Sequence, residues 1–240
     1  GAVAFNRGDL VAAESSYRNG LRQAEAGGLR VERCALLANL ASVFAARGET
    51  EEAASLLSQA LELARGAGDI HRQASILMNA GVVAARQGEL DEAALRFEES
   101  LELSSVDGSW EQRVFLLTNL GTLDSERGSF PQAVERFEQA LELARRLGDR
   151  VRVSLLLGNL GALWTLEGSY LAAADALSEG TILAREIGQS DALCLNLTNT
   201  GVLHLKQGAL EQAEPALREA VSMSQELGQP RLQAAAQCAF

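Results

Sequence analysis

Apolar residues recur along this chain at helical spacing, and glycine interrupts them at regular intervals. Leu37, Leu40 and Phe44 follow the i, i+3, i+7 pattern of one apolar helix face. After Gly48 a second run begins, through Ala53, Leu56, Leu57, Ala60, Leu61 and Ala64. The pair of runs returns every forty residues. Asn39, Asn79, Asn119, Asn159 and Asn199 mark one column, and Gly48, Gly88, Gly128, Gly168 and Gly208 a second. Ala53, Ala93, Ala133, Ala173 and Ala213 form a third. Gly28, Gly68, Gly108, Gly148, Gly188 and Gly228 form a fourth. Columns in phase at a fixed period predict a stack of identical supersecondary units. Each unit reads as two amphipathic helices, a first and a second, with the Gly48 series in the turn between them. The Gly28 series ends the second helix.

Local chemistry supports these boundaries. Asp69, Asp149 and Ser109 stand where the next helix needs an N-cap. Pro131 suits the first turn of its helix. Pro215 falls well inside a second helix, where it predicts a kink or a late start. Ala41, Gly81, Gly121, Gly161 and Gly201 lie mid-helix, where glycine costs about 1 kcal/mol against alanine. Close approach of the partner helix offsets that cost, and the Ala53 column is the expected opposite face. Phe97, Phe137, Leu57, Leu177 and Leu217 are then expected to fill the space between neighbouring units.

Composition narrows the class. Of 240 residues, 47% are hydrophobic and 22% charged, enough for a buried core. Three prolines and 5% aromatics argue against a β-sandwich. The net charge of −11 disfavours nucleic acid and anionic membrane surfaces as partners. No stretch approaches the ~20 apolar residues of a membrane span. Lys206 is the sole lysine beside abundant arginine, a composition expected of a GC-rich bacterial genome. Cys34, Cys194 and Cys238 are too few and too far apart for a disulfide framework or a zinc site, and read as small apolar residues in helix packing. A cytoplasmic protein fits that usage.

The unit Leu-x-x-Leu/Ala-Gly/Ala-x-x-aromatic, followed by Gly, Ala, Phe/Leu and Ala, resembles the tetratricopeptide repeat, most clearly over residues 116–149. The forty-residue form is similar to the repeats of cell-polarity adaptors, kinesin light chains and many bacterial regulators. The resemblance implies an all-α fold, an α-solenoid wound as a right-handed superhelix of about six helix-turn-helix units. One solenoid is expected over 1–240. Its units lie at 1–30 (partial), 31–69, 70–109, 110–149, 150–190 and 191–229, with a further or capping helix starting at 230–240. Both ends fall inside a first helix, which reads as a segment of a longer array or a larger protein. Head-to-tail self-association is the alternative.

The resemblance also implies that first helices line a concave groove. Five asparagines, Asn39, Asn79, Asn119, Asn159 and Asn199, then face a guest. An asparagine amide pairs with both the N–H and the C=O of a peptide bond. Packed helices stand ~8–10 Å apart and extended peptide advances ~3.3 Å per residue, so one asparagine meets about every third guest residue. The competing reading is that the amides bond neighbouring helices instead. Met78, Phe115, Leu155, Leu166 and Leu195 supply apolar contacts, and Arg86, Glu126 and Lys206 supply charge. His71 is expected to be exposed and His204, in the column of Phe44 and Trp164, to pack. No nucleophile–base pair, metal motif or phosphate loop is present, so no enzyme activity, metal or cofactor is expected. The function expected is a protein–protein interaction scaffold for an extended peptide or partner segment. The rival is a regulatory or sensor segment of a larger bacterial signalling protein.

Overall fold

Glycine turns and helix caps cut the chain into hairpins of helix. A computed structural model describes residues 1–107 and 110–228. Among them are α1 (Ala2–Asn6), α2 (Leu10–Ala26), α3 (Arg30–Arg47), α4 (Thr50–Gly66), α5 (Ile70–Gln87) and α6 (Leu90–Asp107). The chain continues with α7 (Trp110–Glu126), α8 (Phe130–Leu147), α9 (Arg150–Glu167), α10 (Tyr170–Ile187), α11 (Ser190–Lys206) and α12 (Leu210–Leu227). Every described element is helical. Gly108, Ser109, Cys238 and the helix expected from 230 lie outside the described residues.

Asp69 and Asp149 cap α5 and α9 as expected, accepting from the backbone N–H of Arg72 at 2.9 Å and of Arg152 at 3.0 Å. Asp9 does the same for α2. Gly48 closes α3 with φ +82°, a left-handed geometry that only glycine adopts without strain. Pro131 sits in the first turn of α8. Of the two outcomes expected at Pro215, a kink or a late start, the late start is not found. Helix α12 begins at Leu210 and runs through the proline without a break. Pro215 is exposed and only one turn into the helix, so the single backbone acceptor it leaves without a partner is open to water.

The chain divides inside α7 into two compact units, Gly1–Leu116 and Leu117–Phe240. In the first unit consecutive helices α1 to α6 pack in sequence, and α3 also touches α5. Its core runs through Ala13, Tyr17, Leu37, Val43, Leu57 and Leu77. In the second unit α8 to α12 pack in sequence, and α9 also touches α11. Each unit is therefore an α-solenoid in which neighbouring first helices meet directly.

The mid-helix glycines have a packing cause, but the expected partner is corrected. A Cβ on Gly81 would stand 2.5 Å from the Phe97 ring, and one on Gly121 2.8 Å from Phe137. Gly161 and Gly201 face Leu177 and Leu217 in the same way. The facing residue is thus the bulky one four positions beyond the Ala53 column. These side chains press on the first helix of their own hairpin, rather than only filling space between units. A large side chain on the second helix requires a missing one on the first.

Four hairpins are each tied by a buried hydrogen bond between the Cys34 column and the Ala60 column. Cys34 Sγ donates to the Ala60 carbonyl at 3.2 Å, and Ser100 Oγ to that of Ala74 at 2.8 Å. Ser154 Oγ donates to Gly180 at 2.8 Å, and Cys194 Sγ to Ala220 at 3.4 Å. Cys34 and Cys194 are free, buried thiols, and burial pushes both pKa values up. They act as small packing residues with a weak donor.

Candidate functional site

The asparagine column and its neighbours lie on the first helices α3, α5, α7, α9 and α11. The positions around them alternate between core and surface at helical spacing. Leu37, Leu77, Leu117, Leu157 and Leu197 are buried. Two residues on, Asn39 is exposed and Asn79, Asn119, Asn159 and Asn199 are half-buried. Met78, Phe115, Leu155 and Leu195 are half-buried as well. Arg86, Glu126 and Lys206, near the C-terminal ends of their helices, are exposed, and Leu166 is 58% exposed. First-helix side chains in each unit thus form a partly open face beside a closed core.

The two units share the candidate residues out. Asn39, Asn79, Met78, Arg86 and Phe115 belong to the first. Asn119, Asn159, Asn199, Glu126, Leu155, Leu166, Leu195 and Lys206 belong to the second. In the first unit Asn79 and Arg86 come together at a cavity of about 200 Å³. Its walls are Phe5, Ser42, Ala46 and Val82, over a floor of Ala41, Ala45, Leu57 and Val83. Arg86 is its only charged residue. Asn39 and Met78 do not line it.

The asparagines differ in what they bond. Asn199 Nδ2 donates to the Gly158 carbonyl at 3.0 Å, tying α11 to α9. Asn119 is engaged too. Asn39, Asn79 and Asn159 make no side-chain hydrogen bond with any described residue. Two arginines tie first helices in the same manner. Arg72 Nη1 donates to Val31 O at 2.7 Å, and Arg86 Nη1 to Ala45 O at 2.6 Å. The latter bond holds the Arg86 guanidinium beside the cavity, and Arg86 is otherwise exposed. Hydroxyls on the same face turn back on their own helices: Ser42 Oγ donates to Ala38 O at 3.1 Å, and Thr122 Oγ1 to Thr118 O at 2.9 Å.

Asn196 begins an Asn-Leu-Thr glycosylation sequon, discounted because it falls within a helix, and it also breaks a visible column. Its equivalents are Leu36, Ile76, Leu116 and Leu156. Asn196 is fully buried, and its Nδ2 donates to Ser154 O at 3.3 Å and Ser154 Oγ at 3.2 Å. A Cβ on Gly158 would lie 2.2 Å from its Oδ1, and one on Gly180 2.9 Å from its Nδ2. Two glycines therefore make room for one amide. Oδ1 has no hydrogen-bond partner.

The remaining chemistry is sparse. His71 is exposed at the start of α5. His204 is half-buried in α11 with Nδ1 shielded and unpaired. Among the described residues no three of His, Cys, Asp and Glu converge as metal ligands, and no helix is long and apolar enough to cross a membrane.

With this geometry in view, comparison with known proteins is informative. The tetratricopeptide-repeat family model matches residues 32–105 and 72–146. The model for anaphase-promoting complex subunit 5 matches residues 155–209 and 189–235. No curated protein sequence matches the chain. Solved structures share its fold. The apo form of RapI superposes with a TM-score of 0.80 at 16% identity, covering 98% of this chain and 91% of that one. A signal-transduction ATPase with a tetratricopeptide repeat sensor, from Pyrococcus horikoshii, gives 0.77 at 18% identity, covering 90% of this chain and 34% of that one. A Rap protein complexed with Competence and Sporulation Factor gives 0.66 at 16% identity, covering 98% and 70%.

Proposed function

Because this chain is a tetratricopeptide-repeat protein, we propose that it is a non-catalytic scaffold holding an extended peptide or partner-protein segment on its first-helix face. The observation that carries this reading is the unpaired Asn79 amide lining the first unit's cavity. A half-buried amide without a partner has donors and an acceptor to offer a guest. Cavity size favours a chain segment over a free metabolite. Pockets for drug-sized ligands run to roughly 300–1,000 Å³, and this one holds about 200 Å³, room for a side chain or two. The fold likeness to a Rap protein complexed with Competence and Sporulation Factor supports a fold of this kind holding a guest.

A second reading is favoured by one observation. The chain corresponds to 34% of the Pyrococcus ATPase, whose repeats are a sensor. In that reading the same face receives a regulatory segment inside a larger protein.

Affinity purification from the source organism's extract, with cross-linking to map contacts, tests the scaffold reading. Wild type and the Asn79→Ala/Asn159→Ala variant are compared at matched circular dichroism. Cross-links on α3, α5 and α9 that fade in the variant are expected. Equal recovery of the same partners, cross-linked to the second-helix surfaces, refutes it.

A further inference from the structure

Neighbouring first helices hold a constant register. Arg72 reaches Val31 O, Arg86 reaches Ala45 O and Asn199 reaches Gly158 O, each across 41 residues. Carried over to the other asparagines, the same offset would pair Asn79 with Ala38 O and Asn159 with Thr118 O. Neither asparagine makes that bond. The pairs differ in two ways: α9 packs more closely on α11 than α3 does on α5, and the target carbonyls differ. A carbonyl has two acceptor sites, and inside a helix one belongs to the N–H four residues on. At Ala38 the Ser42 hydroxyl takes the second site, and at Thr118 the Thr122 hydroxyl takes it. Four residues beyond Gly158 stands Ala162, which has no hydroxyl. There the second site is open, and Asn199 occupies it.

We propose that Ser42 and Thr122 are positioning residues that present Asn79 and Asn159 to a guest, while Asn199 is given over to the fold. This inference rests on the scaffold reading and sharpens it, dividing the asparagines into ligand-facing and structural members. The cavity beside Asn79 gives the class of guest. Arg86 is its sole charge and no carboxylate lines it, in a chain of net charge −11. Its floor is alanine, valine and leucine. The matching segment carries a small apolar side chain with an aspartate or glutamate close by in sequence. The backbone of that segment pairs with Asn79.

The first arm of the test needs no ligand. In nitrogen-15 spectra of the whole chain, the Asn79 side-chain amide is compared in wild type, Ser42→Ala and Ser42→Thr. Ser42→Ala is expected to let Asn79 capture Ala38 O, with a downfield shift and slowed proton exchange. Ser42→Thr keeps a hydroxyl and should leave Asn79 as in wild type. The reverse exchange, Ala162→Thr, should free Asn199 and speed its exchange. An Asn79 signal unmoved by Ser42→Ala, or an Asn199 signal unmoved by Ala162→Thr, overturns the proposal. The second arm uses a random-peptide display library on wild type, Ser42→Ala and Arg86→Glu. Enriched peptides should pair a small apolar residue with a carboxylate and bind Ser42→Ala about two- to tenfold more weakly, the worth of one neutral hydrogen bond. Arg86→Glu should invert the preference to basic peptides. Peptides enriched on the first-helix face without a carboxylate preference overturn this guest class and leave the scaffold reading standing. No enrichment at all counts against both.

Discussion

Replacing Gly81 by alanine sets two physical effects against each other. Helix propensity alone predicts a gain of about 1 kcal/mol. The structure predicts a loss. The new Cβ would lie 2.5, 2.6 and 3.0 Å from three atoms of the Phe97 ring, against ~3.5–4.0 Å for carbon atoms in contact. The ring must retreat by about 1 Å, yet Phe97 is only 1% exposed and is held within the packed core. Overpacking of that kind costs ~1–3 kcal/mol. Gly81→Ala should therefore destabilise by about 1–2 kcal/mol, lowering the urea midpoint by roughly 0.5 M or more at unchanged slope. Phe97→Leu alone also destabilises, by opening a gap. The double variant recreates the Ala41 and Leu57 combination that the preceding hairpin already carries, both residues buried. It should be more stable than the sum of the single changes by at least about 1 kcal/mol. Circular dichroism with the fluorescence of Trp110 and Trp164 follows the transitions. A more stable Gly81→Ala, or additive single effects, would refute the argument that Phe97 excludes a side chain at position 81.

Gly158→Ala should destabilise by ~1–3 kcal/mol in urea melts, because its Cβ falls on Asn196 Oδ1, and Asn196→Ala should restore part of the loss. Cys34 and Cys194, in a Cys238→Ser background, should resist a thiol reagent at pH 8 until urea unfolds the chain. Burial raises both thiol pKa values, so the folded state holds protons that the unfolded state releases. Stability should stay flat below pH ~8.5 and fall as pH rises above it, and a rise in alkaline melts would contradict this. The ion pairs Arg145–Glu179 at 2.7 Å and Arg185–Glu219 at 2.8 Å link successive second helices but are about half exposed. Arg185→Gln should cost less than about 1 kcal/mol, and that difference should vanish in ~1 M salt.

The period made the fold legible. A forty-residue repeat with glycine at two fixed phases specifies helix, turn, helix, and no other element competes for that pattern. Asp69 and Asp149 were readable as caps because capping depends on four consecutive residues. Which side chain faces Gly81 was not readable, since the period fixes columns but not how two helices register across a hairpin. Phe97 rather than Ala93 lands there for reasons of axial offset. Asn196 was visible as a break in an apolar column, but its compensating glycines, Gly158 and Gly180, sit in other columns and become partners only in three dimensions. The asparagines looked equivalent in sequence. Their difference depends on the hydroxyl residue 37 positions earlier, at Ser42 for Asn79 and Thr122 for Asn159, and no local rule connects them.

Affinity on this face must come from side-chain burial, and the energetics give a final prediction. Micromolar binding needs about 8 kcal/mol in net terms. The first unit's released asparagine, making two bonds, supplies ~1–3 kcal/mol before any cost of association. Association itself costs at least ~4 kcal/mol. The amide therefore sets register and direction, and the first unit's cavity must supply much of the rest. Ala46 is exposed at the cavity wall, so Ala46→Leu adds bulk there while leaving the core residues and Asn79 unreplaced. With peptides selected on the wild-type chain, Ala46→Leu should weaken binding more than Asn79→Ala does. Loss of the amide is worth about two- to tenfold, whereas excluding a buried aliphatic side chain forfeits ~1.5–3 kcal/mol, or roughly ten- to a hundredfold. Titration calorimetry on both variants decides between them. If Asn79→Ala abolished binding and Ala46→Leu left it intact, the guest would be held by its backbone alone, and the cavity would have no part in recognition.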